Sequence, residues 1–109
     1  IDAVDISKGA LIKAQMGIYQ KHSFREKELS YLARHFDKMN GRYKIKPQVK
    51  ERVQFYYGNI LDDKTLFYPH FYHVIFCRNL LIYLNKKIQN HVLNRIKNLL
   101  APQGILIVG

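Results

Sequence analysis

The chain has 109 residues, of which 48% are hydrophobic and 24% charged, and its 18 Lys and Arg outnumber 8 Asp and Glu to give a formal net charge of +10. Such ordinary apolar content excludes a disordered or fibrous chain, the length suits one small domain or part of a larger one, and the single cysteine excludes an internal disulfide or a cysteine-based zinc cage. No apolar run reaches the roughly 18 residues needed to cross a bilayer, nothing at the start reads as a signal peptide, and a cytoplasmic protein without membrane insertion is expected.

The chain then reads as alternating strands and helices. Ile1 to Asp5 resembles the end of a strand. Ser7 is placed to cap a helix whose apolar side is Leu11, Ile12 and Ala14 to Met16, and Gly17 to end it. Ser23 with Glu26 fits a capping box, which predicts a second helix from Phe24; Tyr31 to Phe36 can continue it or form a strand. Asn40-Gly41-Arg42 is a hairpin signal, followed by a returning strand R-Y-K-I-K that Pro47 stops before a helical turn. Lys44, Lys46, Lys50 and Arg52 make this region the densest in positive charge, so a small hairpin subdomain is expected at about residues 31–52.

V-Q-F-Y-Y from Val53 predicts a strand ending near Gly58 and Asn59, and a loop with Asp62, Asp63 and Pro69 leads into a further strand from Tyr72 to Cys77. Val74, Ile75 and Phe76 read as buried. Asn85 is placed to cap a helix with Ile88, Val92, Leu93, Ile96, Leu99 and Leu100 on one face. A-P-Q-G turns the chain into the apolar strand G-I-L-I-V-G. Nearly all-apolar strands alternating with helices predict an α/β fold with a parallel sheet covered on both faces.

In such sheets ligands bind beyond the carboxyl ends of the strands. Three predicted strands end there in polar residues: Asp5, Asn59, and Arg78 with Asn79. An unpartnered guanidinium is costly to bury, so Arg78 marks the place where its strand leaves the sheet for a polar or anionic neighbour. Each strand end taken alone is ordinary punctuation, a turn-former or a helix cap. Together, a carboxylate able to accept from two ribose hydroxyls and amides complementary to an adenine edge describe a nucleoside-like site. The five histidines (His22, His35, His70, His73 and His91) show no metal-ligand spacing, and no metal is expected. Cys77 reads as a packing residue, with no base beside it that would make it a nucleophile.

The block F-C-R-N-L-L-I-Y-L, preceded by G-N-I-L and by V-D-I-S with A-Q-M-G-I-Y, resembles the chemotaxis receptor methyltransferase family, the CheR-type S-adenosylmethionine-dependent protein-glutamate O-methyltransferases. The resemblance extends through H-F-D-K, Y-K-I-K-P-Q-V and V-Q-F to L-A-P-Q-G-I-L-I-V-G, and so covers the whole chain. It implies that Asp5 holds the cofactor ribose, that Asn59 and Ile60 flank the adenine, and that Arg78 and Asn79 line the cofactor pocket. It places Tyr83 near the transferring methyl group, against the competing reading of Tyr83 as a core aromatic.

The same resemblance implies a partial Rossmann-like class I methyltransferase sheet with a small antiparallel hairpin insertion. The family's central first strand, its Gly-rich cofactor loop and its final strands have no counterpart here, so a partial catalytic domain, inactive by itself, is expected. Its unpaired strand edges would favour self-association. The implied partners are the cytoplasmic helices of methyl-accepting chemoreceptors, which the basic surface would attract. The short Asn40-Gly41 turn implies a member without a separate high-affinity site for a receptor tail. Two other readings stand beside this one: a non-catalytic cofactor- or protein-binding module of the same fold, and a nucleic-acid methyltransferase. The second is disfavoured because no strip of exposed aromatics accompanies the basic residues.

Overall fold

A computed structural model describes residues 1–25, 30–62, 64 and 67–109. The chain divides into two compact units, Ile1–Asn59 and Ile60–Gly109. The architecture is α/β with mixed pairing: two parallel two-stranded ladders and an antiparallel three-stranded sheet.

In the first unit, β1 (Asp2–Asp5) pairs in parallel with β5 (Gln54–Tyr57), and Asp5 stands opposite Tyr57 at the carboxyl end of the ladder. Between them run α1 (Lys8–Met16), β2 (Ile18–Gln20), a 3-10 turn (Lys21–Ser23), α2 (Ser30–His35), β3 (Phe36–Met39), β4 (Arg42–Ile45) and the short α3 (Pro47–Lys50). Ser7 caps α1 as expected, its hydroxyl accepting from the Ala10 N–H at 3.1 Å. Gly17 ends α1 with φ 65°, where a Cβ would also run into the Ile45 side chain, so glycine is needed twice over. The apolar side expected of α1 is only half realised. Leu11 and Ala14 are half-buried, while Ile12 is 58% exposed and Met16 is exposed too.

The Asn40-Gly41 turn takes positive φ at both residues, 45° and 76°, which matches the twist of the hairpin that β3 and β4 form. The hairpin has a third strand that the sequence pattern does not reveal: β2 pairs antiparallel with β4, giving the order β2-β4-β3. Three residues carry too little periodicity to declare a strand; β2 exists because β4 offers it a partner.

The helix expected from Phe24 does not start there. Ser23 ends the 3-10 turn, and Phe24 is extended, with φ −110° and ψ 114°. Its ring is held among those of Tyr19, Tyr31, Phe36 and Tyr43, at centroid separations of 5.2–6.3 Å. That aromatic packing outweighs a local capping signal, whose second member, Glu26, lies outside the described residues. Tyr31 to His35 are helical and the strand begins at Phe36, so the two readings of this stretch meet at one boundary.

In the second unit, β6 (Tyr72–Cys77) and β7 (Leu100–Val108) pair in parallel, joined by a 3-10 turn (Leu81–Tyr83) and α4 (Lys86–Leu99). The A-P-Q-G turn is absorbed into β7 as an irregularity between the pairs Tyr72↔Leu100 and Val74↔Ile105, with Gln103 at φ 62°. The Asn85 side chain caps α4, accepting from the Ile88 N–H at 3.0 Å. Val92 and Ile96 of α4 bury with Cys77 in the core of this unit, and Ile60, Ile75, Leu81, Leu84, Ile88 and Leu106 pack around it. Two of the three residues expected to bury in β6 do not. Val74 and Phe76 lie on the opposite face from Ile75 and Cys77, and Phe76 is 70% exposed. Only one face of the β6–β7 ladder is covered, contrary to expectation: α4 packs on the face of Ile75 and Cys77, while Val74 and Phe76 with their register partners Ile105 and Ile107 stand exposed on the other.

Candidate functional site

The two parallel ladders carry the candidate residues at their carboxyl ends. In the first unit the turn from β1 into α1 is pinned through Asp5. Its Oδ1 accepts from the Ser7 N–H at 2.7 Å, and its backbone carbonyl accepts from the Gly58 N–H at 3.1 Å. The second bond ties the exit of β5 to the exit of β1, which brings Asn59 to the same end of the ladder as the Asp5 carboxylate. Both residues are exposed. A carboxylate with one oxygen engaged by the backbone keeps further acceptor capacity for paired hydroxyls.

Three neighbours at this strand end escape sequence reasoning. Ile6 follows Asp5 and is exposed, an apolar surface beside a carboxylate. Tyr57 is the register partner of Asp5, and the Lys8 ammonium lies 5.1 Å from the centre of its ring. In sequence Lys8 and Tyr57 are far apart, and only strand register brings them together.

In the second unit the apolar run of β6 ends at Cys77, which is buried, and burial raises its thiol pKa above the ordinary 9.0. That environment suits a packing residue and not a nucleophile. Arg78 emerges into solvent, so its guanidinium keeps its hydration and needs no buried counter-ion. It makes no hydrogen bond or ion pair among the described residues, and a Cβ built on Gly109 would come within 3.2 Å of its Nε. Asn79 turns the chain with φ 58°, a left-handed conformation that asparagine tolerates better than most residues, and its N–H donates to the Gly109 carbonyl at 2.7 Å. The ends of β6 and β7 are thereby joined, with the side chains of Arg78 and Asn79 at the edge.

Ile60 is half-buried against the Cys77–Val92–Ile96 core. Tyr83 closes the 3-10 turn and is 80% exposed, which rules out its reading as a core aromatic in this chain. Gln89 holds that turn from α4, its Nε2 donating to the carbonyls of Leu81 at 2.8 Å and Leu84 at 3.0 Å. The six candidates thus fall into two sets, Asp5 with Asn59 in the first unit and Ile60, Arg78, Asn79 and Tyr83 in the second. No group of His, Cys, Asp and Glu among the described residues could hold a metal ion.

Each set lies at the carboxyl end of its own parallel ladder: an exposed carboxylate and an amide in the first unit, and a guanidinium and an amide, with a half-buried apolar side chain nearby in sequence, in the second. Comparison with known proteins identifies the cofactor. The family described as "CheR methyltransferase, SAM binding domain" matches residues 1–109. The probable biofilm formation methyltransferase WspC of Pseudomonas aeruginosa is 38% identical over 109 residues, covering 100% of this chain and 26% of that protein. Chemotaxis protein methyltransferase 1 of the same organism is 35% identical, covering 100% of this chain and 40% of its own length. The chemotaxis protein methyltransferase of Salmonella typhimurium is 32% identical, with 98% and 38% covered. The chain therefore spans between about a quarter and two-fifths of these relatives, and within that span it belongs to the CheR methyltransferase family, whose S-adenosylmethionine-binding domain it matches from end to end.

Proposed function

We propose that this chain is the cofactor-binding part of an enzyme that transfers a methyl group from S-adenosylmethionine to glutamate side chains of chemoreceptor cytoplasmic helices. The whole-length family match carries the reading, and the exposure of Asp5, Asn59, Arg78 and Asn79 at the carboxyl ends of strands is consistent with it. In it, Asp5 accepts hydrogen bonds from the ribose hydroxyls, Asn59 and Ile60 flank the adenine, and Arg78 and Asn79 line the pocket. Tyr83, with its ring in solvent, stands near the methyl-transfer position. S-adenosylmethionine would supply, when bound, a sulfonium methyl group whose carbon a carboxylate oxygen attacks, the ester O–CH3 bond forming as the S–CH3 bond breaks and the neutral thioether leaves. The protein's part is to orient the two reactants and exclude water, which fits a chain without a hydrolytic set.

The two parallel ladders and the βαβ connection through α4 support a Rossmann-like class I methyltransferase sheet as the finer fold class. A cytoplasmic location belongs to the same reading, as does self-association through strand edges. Among the described residues no helix is long and apolar enough to cross a membrane.

The test is methyl transfer from labelled cofactor to receptor cytoplasmic fragments by the intact protein, with the 109-residue chain run beside it. Base-labile methyl esters mapped to glutamate are the expected result. Cofactor binding with no ester on any receptor fragment would favour the non-catalytic binding module. A second setting for the same chemistry is favoured by one observation: the two relatives at 38% and 36% identity are named probable biofilm formation methyltransferases, against 32–35% for those named for chemotaxis. Loss of biofilm with normal swimming in a deletion strain would select it.

A further inference from the structure

The fourteen residues of α4 include Lys86, Lys87, Arg95 and Lys97 but no acidic residue. Lys86 and Lys87 follow the Asn85 cap directly and so occupy the first two helical positions, where the positive end of the helix dipole disfavours cations. Nothing among the described residues repays that cost. Lys86, Lys87 and Lys97 are exposed, and their ammonium groups make no ion pair or hydrogen bond there. Val92 and Ile96 point into the core, so at about 100° per residue Lys87, Asn90, Asn94 and Lys97 fall on the opposite side of the helix, with Lys86 at its edge. The outward face is a strip of cations and amides about 20 Å long.

We propose that this face of α4 is the docking surface for a glutamate-rich helical segment of the methyl-accepting partner, an inference that rests on the methylation reading above. Charge complementarity selects the occupant. Ammonium groups and amide N–H donors pair with carboxylates, and the net charge of +10 steers an acidic partner in from a distance. The strip has no Phe, Tyr or Trp on which nucleic acid bases could stack. Its outward side has no apolar residue to enter a bilayer interface. A helix about four turns long suits a partner that is itself a helix.

The test measures binding of the intact protein to a synthetic glutamate-rich helical hairpin, beside the same hairpin with glutamine replacing glutamate, a DNA duplex and anionic lipid vesicles. The variant K86Q/K87Q/K97Q is expected to bind the glutamate hairpin about tenfold more weakly at low salt, as two- to threefold per exposed charge implies. The variant K13Q/K38Q/K50Q makes the same change in net charge on other exposed lysines and is expected to lose no more than about twofold. A third variant, K86E/K87E, is expected to melt higher than the parent while binding the hairpin more weakly still, because it relieves the helix terminus. Equal losses in the two triple variants, equal binding of the glutamine hairpin, or an α4 dependence confined to DNA or vesicles would each overturn the proposal. Binding that depends on α4 with no methyl transfer at all would support the docking face and refute the methylation reading.

Discussion

The Asp5 carboxylate joins local structure to the proposed cofactor site, so its two roles can be separated by two substitutions. Asp5→Asn keeps a side-chain oxygen able to accept from the Ser7 N–H, now bonded at 2.7 Å, and removes the charge. Asp5→Ala removes both. A hydrogen bond to a charged group is worth about 1.5–3 kcal/mol, and each 1.4 kcal/mol is tenfold, so losing the ribose contact should weaken S-adenosylmethionine binding by about 10- to 150-fold. The fold should barely notice. Asp5 is exposed, water can replace it at Ser7, and the cost to stability should stay below about 1 kcal/mol even for alanine. Titration calorimetry of the intact protein with S-adenosylmethionine reads the affinity, and thermal melting followed by circular dichroism reads the stability. If both variants bind within about twofold of the parent and melt with it, the ribose assignment is wrong. If Asp5→Ala fails in both measurements while Asp5→Asn fails in neither, the residue is a turn-former alone.

Three further outcomes test the second unit. Val92 is fully buried (0% exposed), so Val92→Ala loses about two methylene equivalents of transfer energy and leaves a cavity, a cost of about 2–3 kcal/mol that should lower the melting midpoint by about 10 °C or more. Phe76→Ala should cost less than about 0.5 kcal/mol in the 109-residue chain; a larger loss than Val92→Ala would show that the open face of β6 is covered in solution. Burial raises the Cys77 pKa above 9.0, so the fold favours the neutral thiol: its contribution is complete below the unfolded pKa and is lost as pH rises through the folded one. Stability should therefore fall more steeply above about pH 9 in the parent than in Cys77→Ala, and equal slopes would contradict the burial argument.

Features coded by neighbours in sequence are legible from the residue pattern alone. The Asn85 cap and helical spacing of α4, the Asn40-Gly41 turn, the Ser7 cap and Gly17 stop of α1, and Pro47 at the start of α3 all satisfy backbone requirements within a few residues. The polar strand ends are legible for the same reason, because a strand that turns from apolar to charged must be leaving its sheet. What the pattern misses depends on partners far away in the chain. Ile18–Gln20 is a strand because β4 lies beside it, and Phe24 stays extended because four rings from other elements hold it. Val74 and Phe76 have the composition of buried strand residues, yet apolarity alone does not say which face another element will cover. The placement of Tyr57 beside Asp5, and of Lys8 over its ring, needs parallel register across more than fifty positions of sequence. Local hydrogen bonds and periodicity are written in consecutive residues, whereas burial and register are properties of surfaces that meet only once the chain has folded.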